Sequence, residues 1–198
     1  MSPTPPTPPE ERDLGPITLR RWQPSMAASL QAAIDASLPE LTPFMAWATA
    51  DHDLGHSADF IARSVAEWDD GETWNYAILP TGHDDALVIG SCGLMTRLGP
   101  GVLEIGYWVH SGWTGRGHAT AAAAALADIA LALPGIERVV IRHDPANPAS
   151  GRVAANAGFT RAGEMPSLPT APGHTGVEWL WERQAPGLDG SADPERSA

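Results

Sequence analysis

The stretch SGWTGRGHATAAAAAL, Ser111–Leu126, decides the fold of this chain. Gly115 and Gly117 open a segment that then becomes almost pure alanine, so a flexible turn stands directly before a strong helix former. The start of a helix carries N–H groups without intrahelical partners and the positive end of the helix dipole. The turn is therefore either a backbone site for a pyrophosphate or simply a tight turn.

Two common phosphate-binding motifs fit the turn poorly. A P-loop requires Gly-Lys-Ser/Thr, which does not occur in this sequence. A dinucleotide fingerprint requires a third glycine where Thr120 stands, although Glu137 lies at the distance of a ribose-binding acid. The strand before the turn contains Glu104 and glycine in place of a continuous apolar run. A nucleotide-binding enzyme is therefore disfavoured as an interpretation.

Composition limits the classes of function. The chain has 198 residues, of which 43% are hydrophobic, and this is enough for one domain with a sizeable core. A net charge of −12 argues against a nucleic-acid partner, and no run of apolar residues is long enough to span a membrane. With a single cysteine and a start unlike a signal peptide, we expect a cytoplasmic protein.

The body of the chain has an α+β pattern. We expect a disordered, proline-rich leader over residues 1–14, a single domain over 15–185 and a disordered tail over 186–198. An amphipathic helix with Ser57 as its N-cap precedes three closely spaced strand-like runs, TWNYAIL, ALVIGSCGLM and VLEIGYWVH. The alanine-rich helix then leads to the strand ERVVIRH. This order predicts a mostly antiparallel mixed sheet flanked by helices, with one β-α-β crossover at the glycine turn.

Two ordered segments carry a resemblance to a known family. GYWVHSGWTGRGHAT resembles the acetyl-CoA turn of the GNAT superfamily of N-acetyltransferases, whose signature Gln/Arg-x-x-Gly-x-Gly/Ala falls on Thr114–Ala119. Thr114 stands where Gln or Arg is usual. DPANPASGRVAANAGF, Asp144–Phe159, resembles the Asn-x-x-Ser…Val…Gly-Phe block of the RimJ and RimL branch of ribosomal-protein N-terminal acetyltransferases. The resemblance covers Ile17 to Arg183 and implies the GNAT fold and acetyl-CoA as co-substrate.

The resemblance also implies catalytic roles. Backbone N–H groups near Trp108 and Val109 would polarise the acetyl carbonyl. Glu104 would act through water as the base for the acceptor amine, unless it is only a solvated strand carboxylate. Many GNAT enzymes have a tyrosine that donates to the leaving thiolate, but Ala154 occupies that position here. Ser150 is the expected substitute.

Further residues of the two motifs are expected to contact the cofactor. Asn147 precedes Pro148, so it is either the N-cap of a short helix, a ligand of the pantetheine arm, or both. Arg116 and His118 would either help to hold the CoA phosphates or face water. The complete predicted set for acetyl-CoA is Trp108, Val109, Thr114, Gly115, Arg116, Gly117, His118, Ala119, Thr120, Asn147 and Ser150.

The acceptor is predicted to be a primary amine, from a protein or peptide N-terminus or from a small molecule, that attacks the thioester directly in a ternary complex. By the resemblance, early helices line its site, and Glu40, Phe44 and Trp47 are the candidates. A homodimer is compatible with the resemblance. A non-catalytic acyl-CoA-binding protein is the alternative function. His52 and His56 have the spacing of a metal pair, but Asp53 and Gly55 indicate a loop, so no metal site is predicted.

Overall fold

The computed structural model describes residues 7–83 and 87–185, so the expected tail over 186–198 lies outside the described residues. The strands are β1 (Glu11–Asp13), β2 (Ile17–Arg21), β3 (Thr73–Pro80), β4 (Gly90–Met95), β5 (Val102–Val109), β6 (Arg138–His143), β7 (Thr160–Pro166) and β8 (Val177–Gln184). The helices are α1 (Ala27–Asp35), α2 (Leu38–Leu41), α3 (Leu54–Asp70), α4 (His118–Leu131) and α5 (Pro148–Asn156).

Within the described residues the strands form one mixed sheet in the order β1-β2-β3-β4-β5-β6-β8-β7. Adjacent strands are antiparallel except for β5 and β6, which are parallel and are joined by α4. Strands β6 and β7 are also parallel to each other and are joined by α5, but β8 lies between them, so they form a second, split β-α-β unit that the sequence did not predict. The topology confirms the predicted mixed sheet and the β-α-β crossover at the glycine turn. The crossover places the glycine turn at the carboxyl end of β5, in the middle of the sheet.

The folded body begins earlier than the sequence analysis placed it. Residues 11–13 belong to β1, which pairs with β2 at the edge of the sheet, and the Tyr76 hydroxyl donates to Pro9 O at 2.8 Å. The expectation of a disordered leader is therefore wrong for these residues. Ion pairs of Glu10 with Arg21 and of Glu11 with Arg20 also connect this segment to β2. Composition alone does not reveal such pairs, because their partners lie on another strand.

Helices cover both faces of the sheet, and a hydrophobic core lies on each. On one face, the alanines of α4 pack against β4 and β5, where Leu94, Leu103 and Ile105 are buried. Small side chains allow this helix to lie close to the strands. On the other face, Leu30 of α1 and Ile61 of α3 pack on β3. In the part of the chain that the structure describes, no helix has the length and apolar character to cross a membrane.

Helix α3 begins before the predicted N-cap. Asp53, not Ser57, is the N-cap: its side chain accepts from His56 N at 3.0 Å, and the His56 side chain accepts from Asp53 N. Ser57 is buried inside the helix. The reciprocal cap stabilises a first turn that includes Gly55, so His56 lies on a helix and not in a loop.

Candidate active site

The glycine turn presents a series of free backbone amides. Gly115 and Gly117 have φ values of 73° and 80°, a left-handed conformation that glycine adopts without strain. Among the described residues, the amides of residues 115–120, which include Ala119 and Thr120, have no hydrogen-bond partner, and Gly117 caps α4 without a side-chain hydrogen bond. The turn therefore has the backbone donors that an anion site at a helix start requires.

Thr114 and Arg116 of the turn are exposed but are held by contacts within the turn, whereas His118 is buried. The Thr114 hydroxyl donates to Ser111 O at 2.9 Å. Arg116 donates to Gly112 O and lies over the Trp113 ring at 4.7 Å. The His118 imidazole is buried, and burial, followed by the charge of Arg116, lowers its pKa. Any anion contact by His118 would therefore come from its backbone amide, because the imidazole points into the fold.

A crevice opens where β5 and β6 diverge. The two strands pair only over residues 102–104 and 138–140, although β5 continues to Val109 and β6 to His143. His110 N donates to Ile89 O, so the alternation of the β4–β5 ladder directs the amides of Tyr107 and Val109 towards the crevice. The Trp108 amide faces Ser91 on β4. Of the two amides expected to be free, Val109 fits and Trp108 does not.

Helix α5 brings a hydroxyl into this crevice. Ser150 lies 2.9 Å from the phenol oxygen of Tyr107, and the phenol lies 3.1 Å from Ser150 O. Asn147 is the N-cap of α5, and its Oδ1 accepts from Ser150 N at 3.1 Å. The predicted cap is thus confirmed. Asn147 and Ser150 also line the crevice, which has a volume of about 210 Å³.

Tyr107 is a functional candidate that the sequence analysis missed. Burial raises the pKa of its phenol to about 12, although the hydrogen bond with Ser150 opposes this shift. The phenol therefore stays protonated and can donate. Ala154, where a tyrosine would be expected, is completely buried. The only signal for Tyr107 was its position two residues before Val109 on the same strand, and no sequence pattern indicated that it would meet α5.

Glu104 has an environment unlike that of a water-exposed base. Its side chain is 4% exposed, Arg97 Nε donates to it at 2.7 Å and Arg142 Nη2 at 2.9 Å. Arg142 also pairs with Glu178. Burial by itself would raise the pKa of Glu104, but the hydrogen bonds from Arg97 and Arg142 outweigh burial and hold the pKa below its ordinary value. A carboxylate in this state is a weak proton acceptor.

A second, larger cavity lies on the α1–α3 side of β5. We call it the aromatic cleft; its volume is about 980 Å³, and its aromatic lining consists of Phe44, Trp47, Phe60, Tyr107 and Trp108. Trp47 is 43% exposed, and its ring centroid lies 6.0 Å from that of Trp108. The structure thus brings two of the three predicted acceptor residues to one cavity. The third, Glu40, is exposed and accepts from the Ser111 hydroxyl at 2.8 Å, outside this lining.

The crevice and the aromatic cleft meet at β5. Phe44, Met45, Gly106 and Tyr107 line both. A Cβ atom at Gly106 would lie 3.1 Å from Met95 Cε, so the end of the Met95 side chain packs closely against the backbone at this junction. Two molecules entering from opposite faces of the sheet could therefore meet beside Gly106 and Tyr107.

The loop between β7 and β8 covers the crevice. Asp144 accepts from the amide of Thr175 at 2.6 Å, and Gly173 N donates to Pro43 O at 2.8 Å. His174 Nε2 lies 3.1 Å from Phe44 O. These contacts connect the loop to the turn before α5 and to the segment after α2. The loop is therefore held over the crevice, where Ser167, Leu168, His174 and Gly176 contribute to the lining.

Other reactive side chains near the site have separate environments. Cys92 lines the aromatic cleft, and burial raises the pKa of its thiol, which disfavours a thiolate nucleophile. The His52 and His56 rings are 5.4 Å apart. Residues 7–83 and 87–185 contain no group of three or more His, Cys, Asp or Glu side chains that could hold a metal ion.

Comparison with protein families gives a match over most of the chain. The model described as "Acetyltransferase (GNAT) domain" matches residues 17–160. A search of curated protein sequences gives no match.

Solved structures share the fold at low sequence identity. The microcin C7 self-immunity acetyltransferase MccE, determined with acetyl-CoA and AMP, has a TM-score of 0.78 and 21% identity, with 86% of this chain and 93% of that chain covered. RimJ of Mycobacterium smegmatis, in complex with CoA-disulfide, has a TM-score of 0.76 and 24% identity, with 93% of this chain and 90% of that chain covered. The ribosomal L7/L12 α-N-protein acetyltransferase RimL, in complex with CoA, has a TM-score of 0.76 and 19% identity, with 86% of this chain and 95% of that chain covered.

Proposed function

This chain belongs to the GNAT acetyltransferase family, and from that membership we propose that it transfers the acetyl group of acetyl-CoA to a primary amine by direct attack in a ternary complex. The acceptor we favour is the α-amine at a protein N-terminus. Two proteins that share the fold support this class of acceptor: RimL, a ribosomal L7/L12 α-N-protein acetyltransferase, and the ribosomal-protein-S5-alanine acetyltransferase of Vibrio fischeri.

The observation that carries the proposal is the row of free amides at residues 115–120. Backbone N–H groups at the start of a helix are suited to a pyrophosphate, which needs several donors and no specific side chain. The row follows the carboxyl end of β5, one of the two strands that bound the crevice, and a long, narrow group held there would extend along the crevice towards Ser150. Asn147 and Ser150 would line the path of the pantetheine arm.

Acetyl-CoA supplies a thioester carbonyl and a thiolate leaving group, and the residues of the crevice match both needs. The Val109 amide, directed into the crevice, would donate to the carbonyl oxygen as it gains negative charge. The Ser150 hydroxyl would donate to the sulfur, with the Tyr107 phenol held 2.9 Å behind it as a proton source. The pair would take the place of the single tyrosine that is absent at Ala154.

Glu104 was expected from the sequence to be the base, but its contacts in the structure lead us to propose a different role. Its oxygens accept from Arg97 and Arg142, so we assign it to holding these two arginines at the junction of the crevice and the aromatic cleft. The arginines in turn connect β5, β6 and β8. In this role Glu104 positions the site and does not take a proton from the amine.

The acceptor would enter through the aromatic cleft. Trp47, Phe44 and Trp108 provide apolar surface for the groups that flank the amine, and the cleft leads to Gly106 beside the crevice. A net charge of −12 attracts a cationic ammonium group over long range. The cytoplasm, which holds acetyl-CoA and keeps the single cysteine reduced, is the compartment that we propose for the reaction.

A thermal-shift titration with acetyl-CoA, NADH and ATP side by side, followed by an assay of CoA release, tests the proposal. Acetyl-CoA at about 100 times its dissociation constant should add roughly 2.7 kcal/mol of stability, and the other two ligands none. Release of CoA should then require an amine, such as an alanine- or serine-started tripeptide amide. A shift with acetyl-CoA but no turnover of any amine would indicate a non-catalytic binder; a shift with NADH or ATP alone would refute acetyl-CoA as the ligand.

A further inference from the structure

We infer that His52 accepts the proton of the acceptor amine in the aromatic cleft, an inference that rests on the function proposed above. His52 precedes α3 and lines the cleft together with Trp47 and Trp108. Its ring centroid lies 5.9 Å from that of Trp47, whose ring is 6.0 Å from that of Trp108 on β5. The imidazole therefore belongs to the aromatic lining of the cleft, which continues through Trp47 to Trp108 on β5.

Hydrogen bonds determine which nitrogen of His52 carries the proton. Gln31 Nε2 donates to Asp35 Oδ1 at 2.7 Å, and since a carboxylate oxygen only accepts, the amide orientation of Gln31 is defined. Gln31 Oε1 therefore faces Ser57 Oγ at 2.8 Å and His52 Nδ1 at 3.1 Å. An amide oxygen cannot donate, so Nδ1 of His52 bears the hydrogen. In the neutral ring, Nε2 has the free lone pair.

Nε2 of His52 is available to a substrate. It has no hydrogen-bond partner in residues 7–83 and 87–185, and the half-buried ring lines an open cavity. The neighbouring His56 differs, because its Nδ1 lies 2.8 Å from Asp53 Oδ1 in the helix cap. An imidazole held through Nδ1 with Nε2 facing a cavity is the arrangement of a general base oriented by a third group.

The surroundings of His52 favour its neutral form. Burial lowers the pKa of the imidazole most, and the charge of His56 lowers it further. The carboxylates of Asp53, Asp35 and Asp51 act in the opposite direction, but the pKa remains below its ordinary value. His52 is therefore unprotonated at neutral pH, as a base must be. The carboxylate of Glu104, the residue first expected in this role, instead accepts hydrogen bonds from Arg97 and Arg142.

The proton balance of the reaction is complete with these groups. An acceptor that arrives as an ammonium loses one proton to His52 Nε2, directly or through a water in the cleft, and gains the lone pair needed for attack. The nitrogen then forms the C–N bond as the C–S bond of the thioester breaks. It loses its second proton towards the sulfur through the Ser150 and Tyr107 hydroxyls. His52 returns its proton to solvent.

The decisive experiment compares His52→Ala with wild type in the CoA-release assay, with an alanine-started tripeptide amide as acceptor. We expect kcat/KM to fall at least about 100-fold at pH 7, with the loss shrinking as pH rises and the free amine becomes abundant. Added imidazole, which the emptied site can hold, should restore part of the activity. Retained thermal stabilisation by acetyl-CoA would show that the variant is folded.

His56→Ala is the matched control, since it removes a second imidazole from the same cleft. Added imidazole should restore no activity to it. Undiminished turnover by His52→Ala would overturn only this inference, whereas absence of CoA release by the wild type with every amine would overturn the proposed function and this inference together. Independently of any acceptor, ¹⁵N chemical shifts should show a neutral His52 with protonated Nδ1 at pH 7. A ring protonated at Nε2 would refute the assignment.

Discussion

The phenol oxygen of Tyr107 lies 2.9 Å from the hydroxyl oxygen of Ser150, which joins β5 to α5 across 43 residues of sequence. The hydrogen bond crosses the crevice at the point where the two parallel strands have separated. We propose that the two hydroxyls act as donors in place of the tyrosine that the GNAT resemblance implies at the position of Ala154. Each hydroxyl is expected to depend on the other for its position.

We therefore expect Ser150→Ala and Tyr107→Phe to be coupled. Each should lower kcat about tenfold, which corresponds to roughly 1.4 kcal/mol, with little change in KM for acetyl-CoA. Because both hydroxyls serve one proton path, the double variant should be only slightly worse than the poorer single variant. Steady-state kinetics of the three variants measures this, and strictly additive losses would argue against a shared path.

The glycine turn can be tested without confusing ligand contact with backbone strain. Gly117→Ala places a side chain at φ 80°, which costs about 1–2 kcal/mol of folding free energy, and should also weaken acetyl-CoA binding at least about tenfold. Gly135→Ala is the matched control, because its φ is also 82°, its surroundings are equally open and it follows the opposite end of α4. Denaturation and ligand-induced thermal shifts separate the two effects. Equal acetyl-CoA affinity in both variants would count against the anion site.

Two variants of Asn147 separate its role as a helix cap from its proposed role as a cofactor ligand. Asn147→Asp keeps the oxygen that accepts from Ser150 N but loses the amide donor, whereas Asn147→Ala loses both. The alanine variant should lose about 1 kcal/mol of stability and the aspartate variant almost none. If Asn147 also donates to the pantetheine arm, both variants raise KM for acetyl-CoA. An unchanged KM in Asn147→Asp would leave only the cap.

Trp47 should contribute to acceptor binding but not to cofactor binding. Since its side chain is already 43% exposed, Trp47→Ala should change stability little. KM for the tripeptide amide should rise about tenfold, or roughly 1.4 kcal/mol, while the thermal shift with acetyl-CoA stays the same. Leu54→Ala serves as control, because Leu54 is 52% exposed and does not line the aromatic cleft. A comparable rise in KM for both variants would exclude a specific role for Trp47.

The buried ion pairs of Glu104 predict a stability difference that depends on pH. Its pKa is lower in the folded chain than its ordinary value of 4.5, so the stabilisation is complete above that value and is lost as pH falls through the folded pKa. Glu104→Gln should cost on the order of 2 kcal/mol at pH 7, measured by chemical denaturation, and less at pH 3. Glu164→Gln, which removes a partner of an exposed ion pair, should cost less than about 0.5 kcal/mol. A cost that did not diminish in acid would contradict the ionic origin.

Several features of this protein were determined by the sequence alone. Gly115, Gly117 and the alanine run specify a turn and a helix through local conformational preferences, and Asn147 followed by Pro148 specifies the start of α5. Strand alternation in the meander and the order of elements were enough for the mixed sheet and its crossover. These properties depend on residues that are close in sequence.

The chemistry of the candidate site was decided only by the tertiary structure. Glu104 is surrounded by Arg97 and Arg142, Tyr107 meets Ser150, and Gln31 orients His52, all through contacts between separate elements. A residue's pKa and hydrogen-bond partners depend on what the fold places beside it, and no local pattern contains that information. For the same reason, the base that we propose is not Glu104 but His52, which the fold places in the lining of the aromatic cleft.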